Sequence, residues 1–135
     1  MCARRNLLSI ESQLDVIDTE TEIVSGIHTV SAPGHTPGHM AVAVSSEGEH
    51  LLCISDAAIL PIHLEQPDWH IVNDVSTERS LASRRRLLEM AVAERALVHG
   101  FHFLLPGLGH VVQKGERWHW QPIGTTREED GNRGF

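Results

Sequence analysis

Cysteine is scarce in this chain, and its scarcity excludes one common way of holding a small fold together. The 135 residues include two cysteines, Cys2 near the start and Cys53 inside an apolar run. A single pair does not make a disulfide framework, and such sparse usage is typical of proteins kept in a reducing compartment. We therefore expect Cys53 to be a buried free thiol and the protein to be cytoplasmic.

Long apolar segments and positive charge are also lacking. No apolar run is long enough to span a membrane, and no apolar segment follows the charges of residues 1–6, so we expect no signal peptide and no membrane partner. The formal net charge of −7 disfavours nucleic acid as a partner. The one basic run is Arg84-Arg85-Arg86, which lies within a helical pattern and is interpreted as a solvated helix face.

The common catalytic signatures are missing as well. The chain has no His-Glu-x-x-His, no pair of Cys-x-x-Cys motifs, no Gly-x-Ser-x-Gly and no Walker loop. It does have ten histidines, and two of them lie in the segment Pro33-Gly-His-Thr-Pro-Gly-His39. Proline fixes φ and glycine admits positive φ, so this segment predicts a rigid turn that presents imidazole between two strand-like runs. Such a turn is suited to a metal site.

The pattern along the chain predicts one domain with a mixed sheet and one long helix, in the α/β or α+β class. The hydrophobic fraction of 41% is sufficient for a moderate core. We expect a lead-in segment over residues 1–21, the domain over 22–123 and a disordered tail over 124–135. Strands are predicted at 22–24, 27–32, 40–45, 50–55, 110–113 and 117–121, a further strand before His102, and a helix at about 77–97 capped by Ser76 or Thr77. Strand 40–45 alternates so little that we expect it to be covered on both faces.

Three metal-competent side chains follow strands: His35, Asp56 and His102. Neighbouring strand ends converge at one edge of a sheet, so these side chains are candidates for a shared metal site. Imidazole and carboxylate suit zinc, manganese or iron, and a carboxylate can bridge two metals. The alternative is that Asp56 caps a turn and both histidines are ordinary loop residues.

The other histidines fit a ligand role less well. His39 and His110 suit structural hydrogen bonds better than ligation. Trp118 and Trp120 alternate with His119, which predicts that both indoles pack on the same face of a hairpin. His63, His70 and His119 have no ligand partner at suitable spacing.

These motifs together resemble the C-terminal half of the metallo-β-lactamase-fold hydrolases. The resemblance covers about residues 20–123. The run from Phe101 to Val111 is similar to the branch that contains methyl parathion hydrolase and lactonase-like enzymes. Asp56-Ala-Ala-Ile-Leu-Pro, Gln66-Pro-Asp-Trp69 and Arg84-Arg85-Arg86-Leu87-Leu88 resemble the same branch.

The resemblance implies half of an αββα sandwich and a role for each site residue. His35 would be a ligand of the first metal, Asp56 the bridging and catalytic carboxylate, and His102 a ligand of the second metal. His39 and His110 match positions that are not ligands. In that family the metals, commonly zinc, polarise a carbonyl or phosphoryl oxygen and supply a hydroxide, and the substrates are esters, lactones, thioesters or organophosphates.

The chain departs from the family at its main signature. His-x-His-x-Asp-His, which supplies four ligands, does not occur in it, so each metal would keep one histidine and a shared Asp56. A catalytic zinc usually has three protein ligands, and we therefore expect weak or no metal binding and no activity by the chain alone.

Removing one sheet of a sandwich would also expose the inner face of the other sheet. We expect a homo-oligomer, a separate N-terminal half as partner, or a truncated reading frame. The alternatives for function are a degenerate association module without catalysis, and a mononuclear metal site shared across a symmetric dimer. A small-molecule substrate is expected only if the domain is completed.

Overall fold

The computed structural model describes residues 6–17 and 20–124. Cys2 and the predicted disordered tail from residue 125 onward lie outside the described residues. In the lead-in, residues 6–17 are exposed and include a short 3-10 helix at Glu11–Gln13, and no sheet strand occurs before residue 22 in the described part. None of the described helices is long and apolar enough to cross a membrane.

The described residues form one mixed sheet in which neighbouring strands are also neighbours along the chain. The pair β4–β5 is parallel and the other neighbouring pairs are antiparallel. This arrangement confirms the predicted mixed sheet and the final hairpin. The strands are β1 (Glu22–Val24), β2 (Ile27–Ser31), β3 (Met40–Ser46), β4 (Glu49–Cys53), β5 (Leu97–His99), β6 (Leu108–Lys114) and β7 (Arg117–Pro122).

The parallel pair requires a crossover, and residues 54–96 supply it. The crossover contains a 3-10 turn (Ser55–Ala57), a short helix α1 (Ile62–Glu65) and the long helix α2 (Thr77–Ala93). Ser76 caps α2 as predicted, because its hydroxyl accepts the backbone N–H of Arg79 at 3.4 Å. The helix ends four residues before the predicted position 97, and Arg95 just beyond it has φ +52°, a conformation that does not continue a helix.

The core lies between α2 and one face of the sheet. Leu87, Leu88 and Ala91 of α2 are buried there against Leu52 and Val98 of the central strands. Trp118 is buried and Trp120 partly buried in the same core, which confirms that both indoles pack on one face of the hairpin.

The opposite sheet face is half-exposed, so the prediction that strand 40–45 is covered on both faces was wrong. Along β3 buried and half-exposed residues alternate. The register places half-exposed apolar side chains of four strands side by side on this open sheet face, which we define by Val42, Val44, Leu51, Cys53, Leu97 and Leu108. The weak alternation of the sequence therefore reflects apolar residues on both faces, and not burial on both.

Candidate metal centre

The three predicted site residues meet at one edge of the sheet. β2, β4 and β5 run in the same direction, so their carboxyl ends share this edge. His35 follows β2, Asp56 lies in the turn after β4, and His102 follows β5. Nε2 of His35 is 3.8 Å from Oδ2 of Asp56, and Nε2 of His102 is 2.9 Å from Oδ1 of the same carboxylate. Asp56 therefore lies between the two imidazoles, with one oxygen directed to each.

The Pro33–His39 loop is held against the first turns of α2. The hydroxyl of Ser83 donates to the carbonyl of Pro33 at 2.7 Å, and the backbone N–H of Ser76 donates to the carbonyl of Gly34 at 2.9 Å. Gly34 has φ +144°, and a Cβ at this position would lie 2.2 Å from the backbone nitrogen of Ser80. Only glycine allows this conformation and this approach. The loop is thus a fixed support for His35, as its composition predicted.

His39 orients Asp56. Its Nδ1 is 3.0 Å from the carbonyl oxygen of Ala32, and its Nε2 is 3.2 Å from the backbone nitrogen of Asp56. Since a carbonyl only accepts and a backbone N–H only donates, Nδ1 carries the proton and the lone pair of Nε2 accepts from Asp56. Both ring nitrogens are engaged, which matches the structural hydrogen bond expected for His39.

Asp74 contacts the other side of His35, although no sequence pattern singles it out. Its Oδ1 is 3.1 Å from Nδ1 of His35, and its side chain has no solvent exposure. Asp74 lies in the loop before α2, where an aspartate is ordinary. No local motif distinguishes it, because its partner is 39 positions away in the chain.

Arg84 corrects the interpretation of the arginine run. Arg85 is half-buried and Arg86 exposed, and both pair with acidic side chains, but Arg84 is 1% exposed. Its guanidinium donates to the carbonyls of Ala57, Pro67 and Trp69 at 2.7, 2.9 and 2.6 Å. Burial lowers its pKa, against the opposing charges of Asp74 and Asp68. Arg84 thus joins the turn that carries Asp56 to the loop that leads to Asp74.

The remaining histidines have other surroundings. Nδ1 of His110 lies 3.1 Å from the carbonyl of Ala96, as expected for a structural hydrogen bond. His63 is buried, its Nδ1 accepts the backbone N–H of Leu60, and burial is the first cause of its lowered pKa. Neither lies among the three site residues. Cys53 is half-buried on the open sheet face, and burial raises the pKa of its thiol.

An apolar groove opens beside His102. It has a volume of about 420 Å³ and is lined mainly by aliphatic and aromatic side chains. Leu104, at 88% exposed, lies on its rim, and Trp120 lines it from β7. An apolar ligand segment would fit such a surface better than a charged one.

The spacing of the three residues permits comparison with zinc geometry. Two ligands of one tetrahedral zinc lie roughly 3.3–3.6 Å apart, and the two separations at Asp56, 3.8 Å to His35 and 2.9 Å to His102, fall on either side of that range. The two histidine–carboxylate pairs therefore approach the spacing of zinc ligands without matching it. Within residues 6–17 and 20–124, however, no group of three His, Cys, Asp or Glu side chains has the arrangement of a metal site.

Known proteins with similar sequence and structure support the resemblance. No protein-family model matches the chain. The solved structure of AidC, a dizinc quorum-quenching lactonase in complex with a product, is 29% identical, with a TM-score of 0.79 over 92% of this chain and 43% of that one. A probable metal-dependent hydrolase from Staphylococcus aureus has the same fold, with a TM-score of 0.72 at 19% identity over 86% of this chain and 42% of that one. The hydrolase AbOPH of the β-lactamase superfamily has a TM-score of 0.74 at 19% identity, over 89% and 42%. The chain therefore carries part of the metallo-β-lactamase fold.

Two relatives found by sequence similarity share one activity. An N-acyl homoserine lactonase of a Bacillus species is 28% identical over 92 residues, and the match spans 64% of this chain and 34% of that protein. One from Bacillus cereus is 28% identical over 88 residues, with the same shares. The chain thus spans about a third of the length of the curated relatives it matches, which is consistent with the C-terminal half of such a fold.

Proposed function

We propose that this chain supplies one part of a zinc-dependent hydrolase site, with His35, Asp56 and His102 as its metal ligands. The observation that carries the proposal is the position of Asp56 between the two imidazoles, with a separate oxygen directed to each. A carboxylate in that position can bridge two metals, and a histidine on each side provides one further ligand for each. We propose no hydrolysis by the chain alone, because each metal would have only two protein ligands.

The substrate that we propose is a lactone or ester with an apolar acyl group. Two facts support this choice: the relatives are N-acyl homoserine lactonases, and an apolar groove opens beside His102. Leu60, 52% exposed, lines the groove and can be replaced by Asp at little cost to the core. In an active complex, Leu60→Asp should raise KM for long-acyl lactones more than for short-acyl ones, and an equal effect on both would refute this use of the groove.

The open sheet face is where we propose that the rest of the site is supplied. This face is an apolar surface that a second sheet would bury. It is lined by Val42, Val44, Leu51 and Leu97. AidC matches 92% of this chain with 43% of its own length, so the larger part of that lactonase has no counterpart here. We propose a polypeptide equivalent to that part as the occupant, on the same or on a separate chain.

Zinc binding tests the proposed ligands. The full chain is titrated with Zn²⁺ by calorimetry, alone and mixed with the AidC segment that it does not match. We expect little binding alone, binding in the mixture, and loss of that binding in His35→Ala and His102→Ala. His28→Ala is the matched control, because His28 is an exposed histidine of β2 whose Nε2 lies 3.8 Å from Oε1 of Glu22 and not beside Asp56. No zinc in either preparation, or equal occupancy in all variants, would refute the metal function.

Cys53 reports on the open sheet face. In a Cys2→Ser background it is the single thiol, so its alkylation rate measures access to that face. The AidC segment should slow alkylation, and Val44→Glu should prevent this protection. If a higher concentration of the chain alone slows the alkylation of Cys53, and sizing chromatography shows a dimer, the result would instead support the alternative of an association module that binds a second copy. Unchanged rates and a monomer under all conditions would contradict both.

A further inference from the structure

We infer that Asp74 is a positioning residue that fixes the tautomer of His35. The inference rests on the proposed function only for its use in metal binding, because the contact itself needs no metal. Oδ1 of Asp74 lies 3.1 Å from Nδ1 of His35, and a carboxylate can only accept in this pair. Nδ1 therefore carries the proton. The lone pair of Nε2 is then left on the side of the ring that faces Asp56, 3.8 Å away.

The surroundings of Asp74 argue against a purely structural role. Its side chain has no exposure, and its second oxygen Oδ2 is buried without a hydrogen-bond partner. A carboxylate in such a place costs stability that an apolar side chain of similar size would avoid. Aspartates that stabilise loops generally bind nearby backbone N–H groups, whereas the recorded side-chain partner of Asp74 is the His35 ring. Asp74 thus lowers the stability of the fold, and its role is to orient the imidazole of His35.

Neighbouring charge favours a carboxylate at this position. The charge of Asp74 acts on the pKa values of both Arg84 and His63, raising each against the effect of burial. Arg84 is itself fixed by three backbone carbonyls. Asp74 therefore lies within electrostatic reach of a cation whose position three backbone carbonyls fix.

His102 provides the contrast within the same site. Its Nε2 is 2.9 Å from Oδ1 of Asp56, so in this structure it is Nε2 of His102 that donates the hydrogen bond. Its side chain is 45% exposed, against 23% for His35. His35 is thus preset with a free Nε2 lone pair, and His102 must exchange its proton or turn its ring before Nε2 can act as a ligand.

Ring-nitrogen NMR of the full chain without metal tests the inference. Spectra of ¹⁵N-labelled histidine are recorded at about pH 8.5, where an ordinary imidazole is neutral. We expect His35 to be protonated at Nδ1 in the unchanged protein. In Asp74→Leu the two ring ¹⁵N shifts should exchange ranges, toward the Nε2–H form that an unconstrained imidazole favours, while Asp74→Asn should keep Nδ1 protonated because the amide oxygen still accepts. His102 should not respond to either change.

Asp68→Leu is the matched control, since Asp68 is an exposed aspartate of the same crossover and should leave His35 unaltered. An Nε2–H form of His35 in the unchanged protein would overturn the inference, and this measurement does not depend on any variant folding. The inference would also be overturned if Asp74→Leu folds and His35 keeps its proton on Nδ1. In the mixture with the AidC segment, Asp74→Leu should weaken zinc binding by about 10–100-fold. A tautomer change without zinc binding in any preparation would support the role of Asp74 and refute the metal role of His35.

Discussion

Replacing Arg84 by Met should destabilise the chain far more than the same change at its neighbour Arg85. Arg84 is 1% exposed, and its guanidinium donates to the carbonyls of Ala57, Pro67 and Trp69 at 2.7, 2.9 and 2.6 Å. A hydrogen bond from a charged group contributes about 1.5–3 kcal/mol net, so the set contributes ~4.5–9 kcal/mol. Relieving the burial of a cation offsets several kcal/mol of that.

The expected net loss in the free energy of unfolding is about 3 kcal/mol, which corresponds to a fall in Tm of roughly 10–20 °C for a domain of this size. Urea and thermal unfolding followed by circular dichroism measure it. Arg84→Lys should recover only part of the loss, because one ammonium cannot replace the guanidinium fork.

Arg85→Met is the matched control for this prediction. Arg85 follows Arg84 in the same helix, but it is half-buried, pairs with Asp68 at the surface and lies 5.7 Å from the centroid of the Trp118 ring. A surface pair of this kind contributes about 0–1 kcal/mol. If the two Met variants have the same unfolding free energy, the three carbonyl contacts of Arg84 contribute no more to stability than the surface pair of Arg85.

Two further predictions concern the loop and the crossover. Gly34→Ala should cost at least about 2 kcal/mol of unfolding free energy, because it combines a strained φ with a Cβ 2.2 Å from the Ser80 backbone. Gly38→Ala is the control and should be nearly neutral, because a Cβ there meets nothing within 4 Å. Equal losses of unfolding free energy in the two variants would contradict the close approach of Gly34 to Ser80. The pKa of His63 is lowered from 6.5, chiefly by burial. Below about pH 6.5 the imidazole therefore takes up a proton in the unfolded chain but resists it in the folded one. As the pH is lowered, the free energy of unfolding should decrease by up to ~1.4 kcal/mol per pH unit. Urea unfolding between about pH 7.5 and pH 5 should show a smaller fall in His63→Asn than in the unchanged protein, and identical pH profiles would refute this assignment.

The sequence was sufficient to predict the parts of the site that depend on local patterns. Strand ends and a proline- and glycine-rich turn are local features, so His35, Asp56 and His102 could be placed at one sheet edge before their distances were known. The predicted support role of His39 followed from the same loop. The positions of these residues follow from the few residues next to each of them in the sequence.

Asp74 and Arg84 could not be predicted in this way. The role of each depends on partners that are distant in sequence: Asp74 contacts His35, 39 positions away, and Arg84 contacts Ala57, 27 positions away. An arginine in a run of three on a helix indicates a solvated face, and only the packing of the crossover shows that the first of them is buried. The prediction that β3 is covered on both faces is wrong for a related reason, since apolar residues on both faces do not reveal whether anything covers the second face.

The strand order has a consequence for how the site forms. Because neighbouring strands are also consecutive in the chain, β1–β4 and β5–β7 can each assemble through short turns, whereas the parallel pair β4–β5 must wait for the crossover of residues 54–96. His35 lies within the first group, Asp56 at the start of the crossover and His102 in the second group. The hydrogen bond between Asp56 and His102 therefore spans the junction that the crossover must close, and we expect it to form late in refolding.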